Sequence, residues 1–132
     1  MNGYLATITS AAENQMISEN LFHGSGSWYF LGGTDELNEG EWRWLTGETW
    51  DYTNWYSNQP DNYGGNPLGF ENHLEILDFG QTSHYFGKWN DIVEIGVRSG
   101  YIVEYNPVPE PTTMLLLGAG LIGFAGVRRK QQ

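Results

Sequence analysis

Side chains that could supply oxygen ligands to a metal ion are concentrated in one polar stretch of the chain and shortly after it. They are Gln59, Asp61, Asn62, Glu71, Asn90 and Asp91. Calcium takes about 6–8 oxygen ligands from carboxylates, amide carbonyls and water. Because nitrogen and sulfur ligands are scarce here, calcium is favoured over zinc or copper. From composition alone, ordinary turn and cap residues explain the same pattern equally well.

The charge balance of the chain excludes a nucleic-acid-binding surface. The 132 residues include 16 Asp and Glu against 6 Lys and Arg, for a formal net charge of −10. Three of the basic residues, Arg128, Arg129 and Lys130, lie at the C-terminal end. The rest of the surface therefore repels phosphates and attracts cations. The chain has no Cys, which excludes thiol catalysis, zinc–thiolate sites and disulfide bonds.

The acidic residues favour binding over catalysis. Two carboxylates can hydrolyse a glycoside, but the catalytic acid needs an apolar pocket that raises its pKa. Here the acids lie among amides, as metal ligands do, and the histidines at positions 23, 73 and 84 share no ligand spacing. We therefore expect a binding protein and no enzymatic activity.

One helix is predicted near the start of the chain. Ser10 and Glu13 form a capping box, in which the Ser10 side chain accepts from the Glu13 backbone N–H. An apolar stripe at helical spacing follows, and the helix should end before His23. The stripe consists of Ala12, Met16, Ile17 and Leu21.

Beyond this helix the sequence predicts short strands with long connections. Aromatic and β-branched runs predict strands at 4–8, 28–31, 41–44, 73–77 and 100–105. Four Trp are expected in the core: Trp42, Trp44, Trp55 and Trp89. The stretch 51–70 is long, polar and rich in Gly, Asn and Pro, as functional loops often are. One helix with short strands indicates the α+β class.

With these motifs in this order, the chain resembles the C-type lectin domain. The matching segments are Gly3-Tyr4-Leu5-Ala6-Thr7-Ile8, Ala12-Glu13-Asn14, Phe30-Leu31-Gly32-Gly33-Thr34-Asp35, Glu39-Gly40, Trp42, Trp44, Asn54-Trp55, Gln59-Pro60-Asp61, Glu71 and Trp89-Asn90-Asp91. Phe30 and Gly33 depart from the family's Trp-Ile-Gly-Leu motif. The resemblance implies a C-type lectin-like fold over residues 1–106, with short antiparallel sheets, one N-terminal helix and a long calcium-binding loop.

The resemblance also implies which residues bind calcium. The ligands of one ion would be Gln59, Asp61, Glu71, Asn90 and Asp91, with Pro60 in the cis form. A second ion would use Asp35, Glu39, Asn62 and Glu71. This second set is one carboxylate short, because the family usually has Asp where this chain has Asn62. In the family the first ion also binds two neighbouring hydroxyls of one sugar, so Ca²⁺ is the expected cofactor and a carbohydrate the expected partner.

The tripeptide Gln59-Pro60-Asp61 resembles the one that accompanies galactose-type rather than mannose-type sugars in the family. The expected carbohydrate-binding residues are Gln59, Asp61, Tyr63, Glu71, Asn90 and Asp91. Tyr63 either stacks on the apolar face of the sugar or packs the loop. The alternative function is a lectin-like structural or protein-interaction domain that binds no sugar. The complete set of oxygen-bearing side chains at the five ligand positions favours sugar binding.

The family's disulfides are absent from this chain. His73, Glu94 and Val103 stand where three of the cysteines would be. His73 either pairs with Glu94 or is a partly exposed strand residue, and we favour the second interpretation.

The last 26 residues, 107–132, form a second unit that closely resembles the PEP-CTERM sorting signal of Gram-negative bacteria. Its parts are Val108-Pro109-Glu110-Pro111, an uncharged run at 114–127, and Arg128-Arg129-Lys130. The resemblance implies export, at least transient anchoring in the inner membrane, processing by an exosortase-type enzyme, and delivery to the cell surface or the extracellular matrix.

The N-terminus does not fit an exported protein. Met1-Asn2-Gly3-Tyr4 has no basic region and no long apolar run, so it lacks the features of a signal peptide. The first strand and helix of the family should also precede Gly3. We therefore expect that the sequence lacks its true beginning.

Overall fold

The computed structural model describes residues 2–63, 70–93 and 100–105. Glu94, the glycines at 64, 65 and 69, and the whole segment 107–132 lie outside the described residues. The elements in chain order are β1 (Gly3–Leu5), α1 (Ala11–Leu21), β2 (Ser27–Thr34), β3 (Arg43–Trp44), β4 (His73–Asp78), β5 (Trp89–Ile92), β6 (Gly100–Tyr101) and β7 (Val103–Tyr105). One helix with short strands confirms the α+β prediction.

The strands form two sheets. β1 pairs with β7 antiparallel, so the two ends of the described chain meet. A five-stranded sheet has the order β3-β2-β4-β5, and β6 pairs with β2 in parallel. The parallel pair and the strand β5 were not predicted. The predicted strand at 100–105 is split at Ile102, whose N–H donates to the Phe30 carbonyl and whose carbonyl accepts from Ala6 N–H.

Both ends of α1 follow the prediction, but its buried face does not. Ser10 is the N-cap and its side chain accepts from Glu13 N–H at 3.2 Å. The predicted stripe is wrong at Met16 and Leu21, each more than half exposed, and at Ala12, which is also exposed. The face that is buried carries Asn14, Ile17 and Ser18.

Asn14 explains why a polar face is buried. Its Nδ2 donates to the Gly87 carbonyl at 3.0 Å, and its Oδ1 accepts from Trp89 Nε1 at 2.7 Å. A buried polar group that is fully hydrogen-bonded avoids most of the cost of leaving water. The amide therefore joins α1 to β5 more specifically than an apolar contact would.

The core beside β2 and β5 is built from tryptophan rings. Trp89 and Trp44 are buried as predicted, while Trp42 and Trp55 are half-buried and pack against them. The rings of Trp44 and Trp89 meet edge to face, with centroids 5.8 Å apart. Trp55 also bridges to Trp89 through the backbone, which ties the long loop to β5. Within the described ranges, no helix has the length and apolar character needed to cross a membrane.

The close packing behind β2 explains one departure from the family motif. A Cβ at Gly33 would lie 2.7 Å from Leu74 Cδ2 and 3.1 Å from Trp50 Cζ3. Such distances leave no room for a side chain. Gly33 therefore lets β4 and Trp50 approach the strand that leads into Asp35.

Candidate metal centre

Three carboxylates converge where the long loop meets the start of β4 and the middle of β5. One oxygen from each of Asp61, Glu71 and Asp91 lies within 4.8 Å of the others. Glu71 is 8% exposed and Asp91 1% exposed, whereas Asp61 is exposed. Asp91 is positioned by its pairing with Leu74 in the sheet. The cluster thus combines two rigid, buried acids with one acid on the surface.

The two buried acids also hold the loop. The Asp91 carboxylate accepts from the backbone N–H of Asp61 at 3.2 Å and from that of Asn62 at 2.7 Å. Glu71 Oε2 accepts from Tyr63 N–H at 2.9 Å, and Asn62 Oδ1 accepts from Glu71 N–H at 3.1 Å. Hydrogen bonds to a charged acceptor are among the stronger ones. The acids therefore position the loop residues that would share a bound ion.

The pKa values of the buried acids reflect the crowding of negative charge. Burial raises the pKa of Glu71, and the neighbouring Asp91 and Asp61 raise it further. Burial also raises the pKa of Asp91, and Asp61 adds to the rise, although N–H bonds from Asn62 and Asp61 oppose it. Such a site gains free energy from any cation that neutralises the repulsion. Oxygen ligands with this much charge suit a hard divalent ion such as calcium.

The remaining residues predicted for the first ion, Gln59 and Asn90, each make a hydrogen bond to the backbone of a member of the cluster. Gln59 is half-buried, its Oε1 accepts from Asp61 N–H at 3.0 Å, and its peptide bond to Pro60 is cis, as predicted. Asn90 uses Nδ2 to donate to Glu75 Oε1 at 3.0 Å and to the Asp91 carbonyl at 2.6 Å. Both of these bonds use the nitrogen of the Asn90 amide and place the side chain beside Asp91.

Two of the predicted ligands of the second ion lie together at the end of β2. Asp35 is buried, and its Oδ2 accepts from Gly40 N–H at 2.9 Å. Its Oδ1 is buried without a hydrogen-bond partner among the described residues. Loss of hydration raises the pKa of Glu39, as do the charge of Asp35, a hydrogen bond with it and the charge of Asp91. Asn62 differs from these two, because its Oδ1 already accepts from Glu71 N–H.

Tyr63 follows the loop residues held by the acids and is 67% exposed. This exposure favours an available ring over one that packs the loop. His73 is half-buried in β4, which agrees with the interpretation as a partly exposed strand residue.

Sequence reasoning missed Glu75 as a supporting residue. It is buried on β4 directly opposite Asn90 in the sheet, and it holds the Asn90 amide. Only the register between β4 and β5 reveals this contact, because the two residues lie 15 positions apart and in separate motifs.

Two family models match the chain. The model of the Lectin C-type domain matches residues 1–93, and that of the PEP-CTERM protein-sorting motif matches residues 107–130. A perlucin-like protein of Mytilus galloprovincialis is 36% identical over 107 residues, which are 77% of this chain and 61% of the relative. Lectin BRA-3 of Megabalanus rosa is 35% identical over 88 residues, 67% of this chain and 47% of the relative.

Among solved structures, the mouse scavenger receptor C-type lectin carbohydrate-recognition domain has the same fold. Its TM-score is 0.56 at 33% identity, over 68% of this chain and 62% of that one. The chain thus spans less than two thirds of each of these relatives.

Proposed function

This chain belongs to the C-type lectin domain family, and on that premise we propose that it is a calcium-dependent carbohydrate-binding domain of an exported protein. Lectin domains of this kind are carbohydrate-binding and generally non-enzymatic, and we expect no catalysis here. The observation that carries the proposal is the carboxylate cluster of Asp61, Glu71 and Asp91, whose two buried members also hold the loop. Two relatives are named as a lectin and as a carbohydrate-recognition domain.

We assign the first ion to the side chains predicted from the sequence: Gln59, Asp61, Glu71, Asn90 and Asp91. The side chains on the open side of the cluster, Gln59 and Asp61, would meet the sugar hydroxyls. An amide donates through its nitrogen and a carboxylate only accepts, so the two together complement a pair of hydroxyls. A second ion would use the buried Oδ1 of Asp35 together with Glu39, Asn62 and Glu71, and the missing partner of that oxygen supports it.

Binding of the metal and of the sugar are tested together. Calorimetric titration with calcium should give binding heat, and the chain should be retained on a sugar resin in calcium and released by EDTA. The absence of both effects would favour the alternative, a lectin-like structural or protein-interaction domain.

We further propose that the sugar is galactose-type. Gln59 offers an amide, which can donate a hydrogen bond, and Asp61 offers a carboxylate, which only accepts. Exchanging the amide and the carboxylate between positions 59 and 61 reverses this arrangement of donor and acceptor. The exposed ring of Tyr63 can cover the apolar face of such a sugar. The double variant Gln59→Glu, Asp61→Asn should weaken or invert retention on galactose relative to mannose. Stronger retention of the unmodified chain on mannose would contradict this assignment.

The sorting motif at residues 107–130 indicates export and sorting to the cell envelope. We propose that an exosortase-type enzyme processes it in a Gram-negative bacterium, after at least transient anchoring of the segment in the inner membrane. We take residues 1–106 as the binding domain, delivered to the surface or extracellular matrix. A reporter with an export signal should require residues 107–132 for surface sorting, while their deletion should leave sugar binding unchanged.

A further inference from the structure

A row of aromatic side chains lies outside the tryptophan core, on the turn between β4 and β5 and its neighbours. From one end it runs through Trp28, Phe79, Tyr85 and Tyr56, with successive ring centroids 6.0, 5.4 and 4.4 Å apart. His84 lies beside its end, 4.1 Å from Tyr85 and 5.8 Å from Tyr56. We call these five side chains the aromatic row.

The aromatic row is at the surface rather than in the core. Trp28 is 36% exposed, Phe79 is 37% exposed and His84 is exposed, while Tyr56 and Tyr85 are half-buried. A contiguous patch of this kind, with each ring partly open to solvent, is typical of an interaction surface.

The turn that carries three of the five side chains of the aromatic row, residues 79–86, has no Asp, Glu, Lys or Arg, in a chain with a net charge of −10. The exposed Gln81 and Thr82 add neutral hydrogen-bonding groups to the rings. Apolar rings bordered by neutral polar groups match a sugar, which has apolar C–H faces and hydroxyl edges. They do not match a nucleic acid, whose binding requires Lys or Arg at the phosphates.

One end of the aromatic row is linked to the candidate sugar site through a backbone turn. Gln59 N–H donates to the Tyr56 carbonyl at 3.0 Å, so the last ring of the row stands on the same turn as Gln59. The rings of residues 79, 84 and 85 lie on the turn at the end of β4 opposite to Glu71, so only a ligand much longer than one sugar could contact both places.

We propose that the aromatic row is a second, calcium-independent contact surface for an uncharged polysaccharide chain. The choice of a carbohydrate as its ligand rests on the proposed function. Neighbouring rings of the row are tilted by 32–48° to one another, so they share no plane. The row therefore fits a single twisted chain in solution and not the flat face of packed chains.

The test measures binding of the full chain to soluble galactan, mannan and glucan, and to free galactose, in calcium. Phe79→Ser should weaken binding of at least one polymer by about threefold to tenfold, the effect expected for one aromatic contact. It should leave calcium and galactose binding unchanged. The matched control is Tyr101→Ser, since Tyr101 is also an exposed ring but lies outside the row.

A second variant separates this surface from the calcium site. Asp61→Ala removes an exposed ligand and should abolish galactose binding while part of the polymer binding persists. The proposal would be overturned if Asp61→Ala lost all polymer binding while Phe79→Ser bound the polymers as well as Tyr101→Ser does. That result would leave the proposed calcium site unchallenged. A different outcome would contradict the proposed function and leave this proposal standing. In that outcome the unmodified chain shows no calcium-dependent binding, and polymer binding is lost in Phe79→Ser. If Phe79→Ser fails to fold, Phe79→Leu decides, because it keeps apolar volume and removes the ring.

Discussion

Replacing Glu71 with Gln should change the stability of the chain in opposite directions with and without calcium. The substitution removes one negative charge from the cluster and keeps the shape of the side chain. It also keeps an oxygen that can accept from Tyr63 N–H, the backbone bond made by Glu71 Oε2. The charge is therefore the main difference between Glu71→Gln and the unmodified chain.

The size of the effect without calcium follows from the spacing of the acids. The acid oxygens lie within 4.8 Å of one another, and at that limit two unit charges repel by about 3.5 kcal/mol at an effective dielectric constant of 20 and by about 0.9 kcal/mol in water. The larger figure applies to the two buried acids, Glu71 and Asp91, and the smaller to the exposed Asp61. The backbone N–H groups that the buried acids accept offset part of this repulsion. We expect Glu71→Gln to stabilise the calcium-free chain by about 1–3 kcal/mol.

Calcium should make the unmodified chain more stable than Glu71→Gln. A thousandfold excess of calcium over its dissociation constant stabilises the unmodified chain by about 4.1 kcal/mol, which exceeds the lead of the variant without calcium, whereas the variant lacks one charged ligand and gains less. Thermal unfolding followed by tryptophan fluorescence measures the melting temperatures in EDTA and in calcium. A difference of 1 kcal/mol corresponds to about 4–8 °C in a domain of this size. Glu48→Gln is the control, since Glu48 is an exposed acid outside the cluster. The same order of melting temperatures in EDTA and in calcium would refute this account of the site.

Three further outcomes are expected. Calcium affinity should fall as the pH is lowered from neutrality into the acid range, because protons compete for Glu71 and Asp91, whose pKa values are raised mainly by burial; calorimetry that finds the same affinity at neutral and acid pH contradicts this. Asp78→Ala should cost about 1–3 kcal/mol at neutral pH. Burial alone would raise the pKa of this carboxyl, but hydrogen bonds from the turn at residues 23–25 lower it. The stability from Asp78 is therefore present above the unfolded pKa of about 3.9 and is lost as the pH falls through the lower folded value, so urea unfolding of the variant should be less sensitive to acid than that of the unmodified chain. Asn14→Leu should cost about 1–3 kcal/mol, because it leaves the buried indole N–H of Trp89 unpaired, while the Gly87 carbonyl keeps its hydrogen bond from Asn54 Nδ2; a melting temperature equal to that of the unmodified chain would contradict the role of the amide.

The helix shows which structural features can be read from neighbouring residues. The limits of α1 were predictable because the cap pairs Ser10 with Glu13, three residues away. Its buried face was not, because that face depends on Asn14 and a partner in β5, 75 residues along the chain. Hydrophobic periodicity selected Met16 and Leu21, which face solvent. A polar residue with a distant hydrogen-bond partner replaces the apolar stripe.

The strands show a similar limit. Long runs such as β2 and β4 have enough aromatic and β-branched residues to be predicted from composition. The segment Trp89–Ile92 is only four residues long, with two polar residues, and was recognised as a ligand motif instead of a strand. Its pairing with β4 decides which neighbours Asn90 and Asp91 contact. That pairing joins segments that are distant in the sequence, so local sequence patterns do not reveal it.

The residue types of the candidate site could be read from the sequence. The hydrogen bonds that its acids make to the loop backbone could not. Carboxylates and amides at positions 59–62, 71, 90 and 91 offer oxygen ligands of the kind that calcium takes, and the order of the family's motifs favoured a metal site over ordinary turn and cap residues. The two buried acids accept backbone N–H groups from residues 61–63, so their charge is partly balanced by this part of the loop. Calcium binding at such a site has less ordering entropy to overcome. The same hydrogen bonds compete for lone pairs that the ion would use, so ion affinity and loop order are coupled through Asp91 and Glu71.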